Sequence, residues 1–265
     1  MTISSLDQFI AAASQRLGLL KTASRTSVAA IPFSVFDLAG NPGAGVLPGT
    51  STTAGVVPTD ATAGFPTINA FGGGATGYIG GVTFGNTVAS RLRIFDLLWK
   101  GGAYAFNAAV TLSAQPSYEG RVLGGTDFTN TEIWLEAVTA FTGNQSIAVT
   151  YTNQDGVTGR TTGTIATGVA PIVERMLQLP LQAGDTGVQK IESVTSTVST
   201  AGTFNVLVMR RLWEGRCRLA NDGDVHDLLK TGMPQIFADS ALFLQVIADG
   251  TTTGIPELQL EIVNG

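Results

Sequence analysis

The stretch SIAVTYTNQDGVTGRTTGTIAT, residues 146–167, decides the fold class. Two segments of alternating character flank Asp155-Gly156, a pair suited to a two-residue type I′ turn, so the stretch predicts a β-hairpin. The same texture recurs along the chain. Strand signals fall at 82–84, 91–99, 107–112, 131–139, 145–152, 160–167, 172–180, 188–199, 203–212, 241–248 and 256–263. Turn signals separate them at Lys100–Gly102, Gly124–Thr126, Thr142–Asn144, Gln154–Gly156, Ala183–Gly187, Ala201–Gly202 and Asp249–Gly254. Regular short strands with Gly-rich turns predict an all-β sandwich or barrel. A second hairpin is expected over Val194–Val208, turning at Ala201-Gly202. Between 188 and 199 the apolar face changes near Ser193, which predicts a bulge.

Composition narrows the function. Only 13% of residues are charged, about half the usual ~25%. The chain has 33 Gly and a single His and Cys, His226 and Cys217. It is poorly equipped for acid–base, thiol or metal chemistry. One cysteine excludes an internal disulfide framework. A net charge of −5 and a pI near 4.8 argue against a phosphate-binding surface. The densest basic group, Arg210, Arg211, Arg216 and Arg218 with Glu214 inside it, reads as a solvated or interface strand pair. A low-charge β-protein of this size is expected to pack against neighbours, because a free-standing surface carries more Lys and Glu. The N-terminus lacks the basic region of a signal peptide, and no run approaches 18 apolar residues.

Residues 5–20 read as one amphipathic helix. Ser5 serves as N-cap with Gln8 completing a capping box, and Leu6, Phe9, Ile10, Ala13, Leu17 and Leu20 form an apolar stripe. Val28–Leu38 reads as a first strand, an edge strand because of Pro32. Residues 39–81 hold no Lys, Arg or Glu and one Asp, Asp60. This Gly/Pro-rich stretch reads either as an extended arm on a neighbouring subunit or as a long loop on its own domain. Residues 222–230 read as a short helix, with Asp224 as N-cap and Gly232 after its end. The expected organisation is an N-terminal helix or arm over 1–27, then a β-sandwich over 28–265 that contains the arm 39–81.

Candidate chemistry is sparse. In Asn221–Asp227, Asp222, Asp224 and His226 could ligate a metal such as Ca²⁺, or could form a turn before a capped helix. Glu132 and Glu136 share one face of a strand and are the most suggestive glycosidase pair. Trp134 and Tyr151 read as core or interface residues. Cys217, between Arg216 and Arg218, reads as a structural thiol. Phe71–Gly77 resembles a phosphate-cradling loop in glycine content alone and reads as a hinge.

Three segments together resemble virion structural proteins of tailed bacteriophages: YTNQDGVTGR (151–160), LPLQAGDTGV (179–188) and LLKTGMP (228–234). The resemblance covers roughly 130–265. It implies a jelly-roll-like β-sandwich, often trimeric, set on an icosahedral shell, with no catalytic residues. The resulting expectation is a non-enzymatic capsid decoration or cement protein without cofactor or metal. Its expected partners are the major capsid protein lattice and copies of itself in a homotrimer, with no direct contact to nucleic acid or membrane. Its expected location is the virion, after assembly in the host cytoplasm. Leu6, Phe9 and Ile10 on the helix, and Phe65, Ile68 and Phe71 in the arm, are the expected partner contacts. The alternatives are a major capsid, tail or baseplate protein, a carbohydrate-binding or hydrolytic sandwich on a host-contact appendage, and a Ca²⁺-stabilised sandwich.

Overall fold

The computed structural model describes residues 3–106, 109–168, 172–196 and 201–265. Strands dominate, arranged among the described residues in three antiparallel sheets. A terminal sheet runs β14 (Asp222–His226), β4 (Gly77–Asn86), β17 (Pro256–Asn264), β1 (Ala13–Lys21) and β3 (Gly40–Asn41), with β15 (Gln235–Ile236) also on β4. A distal sheet runs β10 (Ile165–Ala166), β8 (Ser146–Asn153), β12 (Val188–Ser196) and β6 (Ala109–Thr111), with β9 (Arg160–Thr161) on β8. The central sheet runs β11 (Met176–Leu179), β7 (Thr131–Thr139), β13 (Thr203–Cys217), β5 (Ser90–Ala105), β16 (Leu242–Ala248) and β2 (Pro32–Ser34).

The central sheet curls until its edges meet. Phe33 of β2 bridges Arg175 beside β11, and Ser34 N–H donates to Glu174 O at 2.9 Å. Closure leaves neither edge free to recruit a foreign strand. Side chains alternate across the wall of this ring. Phe95, Leu97, Trp134, Leu207, Met209 and Phe243 fill one side, stoppered by Phe36 and Phe65. On the other side, Leu92, Ile94 and Leu212 pack on Val82, Leu258 and Leu260 of the terminal sheet. Further along the same strands, Leu98, Phe204, Val206 and Val208 pack on Ile147, Val149 and Ile191 of the distal sheet. The two smaller sheets therefore share the outer wall of the central one.

The all-β class holds, but three sheets about a curled centre depart from the two-sheet jelly roll expected. The helix expected over 5–20 is two elements. α1 (Leu6–Ala11) stops at Ala12, and β1 follows. The capping is as read, with Ser5 Oγ accepting from Gln8 N–H at 3.2 Å. Helical periodicity loses after Ala12 because β1 pairs with β17 from Ala13↔Asn264 to Leu20↔Glu257. That pairing buries Leu17, Leu19 and Lys21 on a period of two and leaves Leu20 outside. A six-residue helix has no stability of its own against such a ladder.

The hairpin at 146–167 forms with a different turn. Gly156 N–H donates to Asn153 O, and Gly156 has positive φ while Asp155 does not. A type I′ turn needs positive φ at both positions, so this loop is wider. Asn153 Oδ1 organises it by accepting from the Asp155 and Val157 amides. Among the described residues of Val194–Val208, the two strands of the second expected hairpin do not pair with each other. β12 pairs with β8 and β6, whereas β13 pairs with β5 and β7. The chain passes from distal to central sheet between them. The bulge near Ser193 is present as a register shift between Ile191 and Ser193.

Lys100–Gly102 is no turn but lies inside β5. Its glycines serve close approach, since a Cβ on Gly102 would lie 2.4 Å from Asn205 Oδ1. The first strand is β1, and within 28–38 only the edge strand β2 forms. In 222–230, β14 replaces the first half of the expected helix; α2 (Leu228–Thr231) is capped by Asp227, with Gly232 in αL conformation after it. Parts of two expected strands, 107–108 and 197–199, lie outside the described residues.

Candidate functional site

Of the six expected contact residues, the structure separates two groups. Phe65 and Ile68 are buried in the chain's own core, and Phe71 is half-buried against it, with its ring where a Cβ of Gly77 would stand. Residues 39–81 are thus no free arm. Lys100 Nζ donates to Val46 O, Trp99 Nε1 to Ala54 O and Arg121 to Pro58 O, while Ile68 N–H donates to Asp60. A segment rich in Gly and Pro follows the mouth of the ring closely, and its few apolar side chains plug it. Side chains held this way are not available to a neighbour. The Gly72–Gly74 loop is exposed, as a hinge or surface turn would be.

The N-terminal group is different. Phe9 packs over Gly80 beside Val263, on the outer face of the terminal sheet. Leu6 and Ile10 project away, 62% and 72% exposed. α2 packs on β4, its Leu228 lines the same depression as Phe9, and the next residue, Leu229, is 83% exposed. Between the two helices the face mixes glycines with exposed polar and aliphatic side chains. Arg16, Gly18 and Leu20 of β1, Thr83 of β4, Gln259 of β17 and Val225 of β14 are exposed there, with half-buried Gly81, Gly85 and Glu261. A depression of about 250 Å³ lies between Phe9, Arg16, Gly81, Asp227 and Glu261. This face is a shallow floor with two apolar rims.

The acidic stretch beside it acts as an edge guard. Asp222 Oδ1 accepts from Gly223 N–H at 2.9 Å, and Asp224 Oδ1 accepts from Val225 N–H at 2.8 Å. The Val225 bond first, and then the nearby Lys230 charge, hold the Asp224 carboxyl below its usual range. Both carboxylates put negative charge along an end strand, where an added strand would be repelled. His226 bridges this stretch and the core, with Nδ1 accepting from Trp213 Nε1–H at 3.0 Å and Nε2 3.7 Å from Asp224 Oδ2. Among the described residues no three or more His, Cys, Asp or Glu side chains gather at one point.

Glu132 and Glu136 do share a face, with Trp134 between them, but they share no cleft: Glu132 lines an open depression with Arg211 and Glu214, and Glu136 does not reach it. Glu132 accepts from Trp134 Nε1 at 2.7 Å and pairs with Arg211, and Glu136 is wholly buried. Cys217 is buried too, and burial pushes its thiol upward, with Asp222 adding to it. Of the basic group, Arg210 turns inward toward Asp96 and Gln235 O, while Arg211 and Arg216 pair with acids at the surface.

Sequence reasoning missed the buried polar centres. Asp96 accepts from Arg121, from Ser240 Oγ at 2.8 Å and from Ala241 N–H at 3.1 Å. Arg25 pairs with Asp37 and Glu174. Lys100, Glu136 and Asn205 meet inside the ring. The available signal is a lone polar residue within an apolar strand: Asp96 in RIFDLLW, Glu136 in IWLEAV, Asn205 in TFNVLV. Such a residue must find a partner.

No protein-family model matches the chain, and no curated protein matches it. Its weak structural neighbours are viral capsid particles. The infectious bursal disease virus VP2 subviral particle overlaps with a TM-score of 0.20 and 10% identity, over 95% of this chain and 79% of that one. T=1 particles derived from infectious bursal virus overlap with a TM-score of 0.19 and 9% identity, over 95% of this chain and 76% of that one. Overlaps of this size carry no argument about topology or role.

Proposed function

We propose that the protein is a non-enzymatic structural component of a virion, which decorates a capsid shell and cements it by bridging neighbouring subunits. The observation that carries this reading is the outer face of the terminal sheet. Its exposed Leu6, Ile10 and Leu229 stand beside a mixed floor of glycine, polar and aliphatic residues that the chain itself leaves uncovered. Exposed apolar groups gathered around one face mark a contact surface. The low charge of the whole chain and its resemblance to tailed-phage virion proteins point the same way.

In this reading the shell supplies the missing apolar layer. The copies act as a trimer, so several weak contacts engage together, and each copy prefers assembled lattice to free subunits. The closed central sheet gives the body rigidity, and the contact residues move from the 39–81 segment to α1 and α2. The experiment is to measure the protein's mass in solution by light scattering and then add it to shells stripped of it. A trimer that rebinds at stoichiometric occupancy and raises shell stability supports cementing. A monomer that ignores shells and binds glycans would replace it with host recognition.

A further inference from the structure

Inside the curled central sheet, the register gathers three polar side chains. Asn205 of β13 stands directly opposite Glu136 of β7. Lys100 of β5 pairs with Leu207, two residues along β13 from Asn205. Residues two apart share a face, so Lys100 is the diagonal neighbour of Asn205 on the inner wall. Lys100 is only 6% exposed, and Glu136 and Asn205 are fully buried.

Glu136 Oε2 touches both partners. It accepts from Asn205 Nδ2 at 2.8 Å and lies 3.9 Å from Lys100 Nζ. Its other oxygen, Oε1, is buried and accepts no hydrogen bond. The Phe36 ring lies 5.2 Å from Lys100 Nζ, and the surroundings are the apolar interior of the ring. Gly49 N–H donates to Asn205 Oδ1 at 2.9 Å. Lys100 Nζ donates to Val46 O and Asn205 Nδ2 to Leu47 O, so two successive carbonyls of one backbone segment hold nucleophile and amide.

We propose that Lys100 and Asn205 become joined by an intramolecular isopeptide bond, formed by the folded chain itself with Glu136 as proton relay. Burial holds the Lys100 amine below its usual range, which favours the neutral, nucleophilic form. Nζ attacks Asn205 Cγ, and the charge that develops on Oδ1 meets the Gly49 N–H already bonded to it. Glu136 takes a proton from Nζ and hands it to Nδ2. The Cγ–Nδ2 bond breaks, ammonia leaves, and a Cγ–Nζ amide remains. One bond forms and one breaks, with no oxidant, reductant or cofactor. The product ties β5 to β13, the two longest strands, by a covalent link. This inference stands apart from the shell-binding reading, because it concerns the interior alone.

The test is the intact mass of the purified full chain, followed by peptide mapping. The wild-type chain is expected to be lighter than its sequence by one ammonia and to yield one branched peptide containing Lys100 and Asn205. Lys100→Met and Glu136→Gln are expected at full sequence mass without that peptide. A wild-type chain at full sequence mass would overturn the proposal and leave a buried ion pair. So would ammonia loss without the branched peptide, the mark of an asparagine closing on its own backbone. The wild-type result decides even if the variants do not fold.

Discussion

Phe9 of α1 stands on Gly80 of β4, close enough that a Cβ on Gly80 would lie 2.8 Å from the ring. This contact holds the middle of α1 to the sheet, while Ile3 and Ala12 flank Gly265 at its ends. Gly80→Val is therefore expected to lift α1 while leaving the sheets intact. Hydrogen exchange should show faster exchange in residues 5–12 and unchanged protection in β4 and β17. Equal loss of protection in all three would show that Gly80 serves the sheet and not the helix.

Arg160 grips Asp185 through two bonds, Nε to Oδ2 at 2.9 Å and Nη2 to Oδ1 at 3.0 Å. The Arg160 bonds, helped by Asn153 and Tyr151, bring Asp185 from an ordinary 3.8 down to about 2. A depressed carboxyl adds stability above its unfolded value, and that stability drains as pH falls toward the folded one. Asp185→Asn should thus lower the urea midpoint at pH 7, and the gap from wild type should close between pH 3.8 and about 2. A gap that stays constant with pH would show that charge is not what Asp185 contributes.

Asp96 and Arg121 form a buried ion pair, tied further to Ser240, Ala241 and Pro58. Removing Arg121 leaves buried Asp96 only Arg210, at 3.7 Å, as a cationic partner. Arg121→Met is expected to cost about 3 kcal/mol or more, read by urea unfolding. A cost under about 1 kcal/mol, typical of surface pairs, would mean that water reaches Asp96.

Phe65 packs against Phe36 at 4.7 Å between ring centroids, in the mouth of the ring. Phe65→Ala should cost about 3 kcal/mol of folding stability, as core truncations do. An unchanged midpoint would return Phe65 to the surface as a partner anchor.

Much of the fold is legible in the sequence because strands of this chain carry their own pattern. The span 131–139 matches β7 residue for residue, and Pro32 rightly marks an edge strand. The errors share one physical cause, long-range pairing. β1 reads as helix because its partner β17 lies at the far end of the chain. Ala201-Gly202 reads as a hairpin because nothing local says that β12 and β13 belong to different sheets. At the surface, Leu6 and Ile10 were legible as an apolar stripe. Leu229 was not, since a single leucine on a one-turn helix has no pattern. Phe65 and Ile68 read as partner contacts although they are buried, because an apolar side chain in a Gly/Pro-rich segment looks alike whether it plugs its own core or a neighbour's.

The most direct test of the account is rebinding by the variant Leu6→Ser/Ile10→Ser/Leu229→Ser. All three side chains are exposed, so the fold should survive with an unchanged unfolding midpoint. The account predicts that this folded variant no longer occupies shells stripped of the wild-type protein, while wild type fills them. Full occupancy by the variant would contradict it and remove the outer face of the terminal sheet as the contact surface.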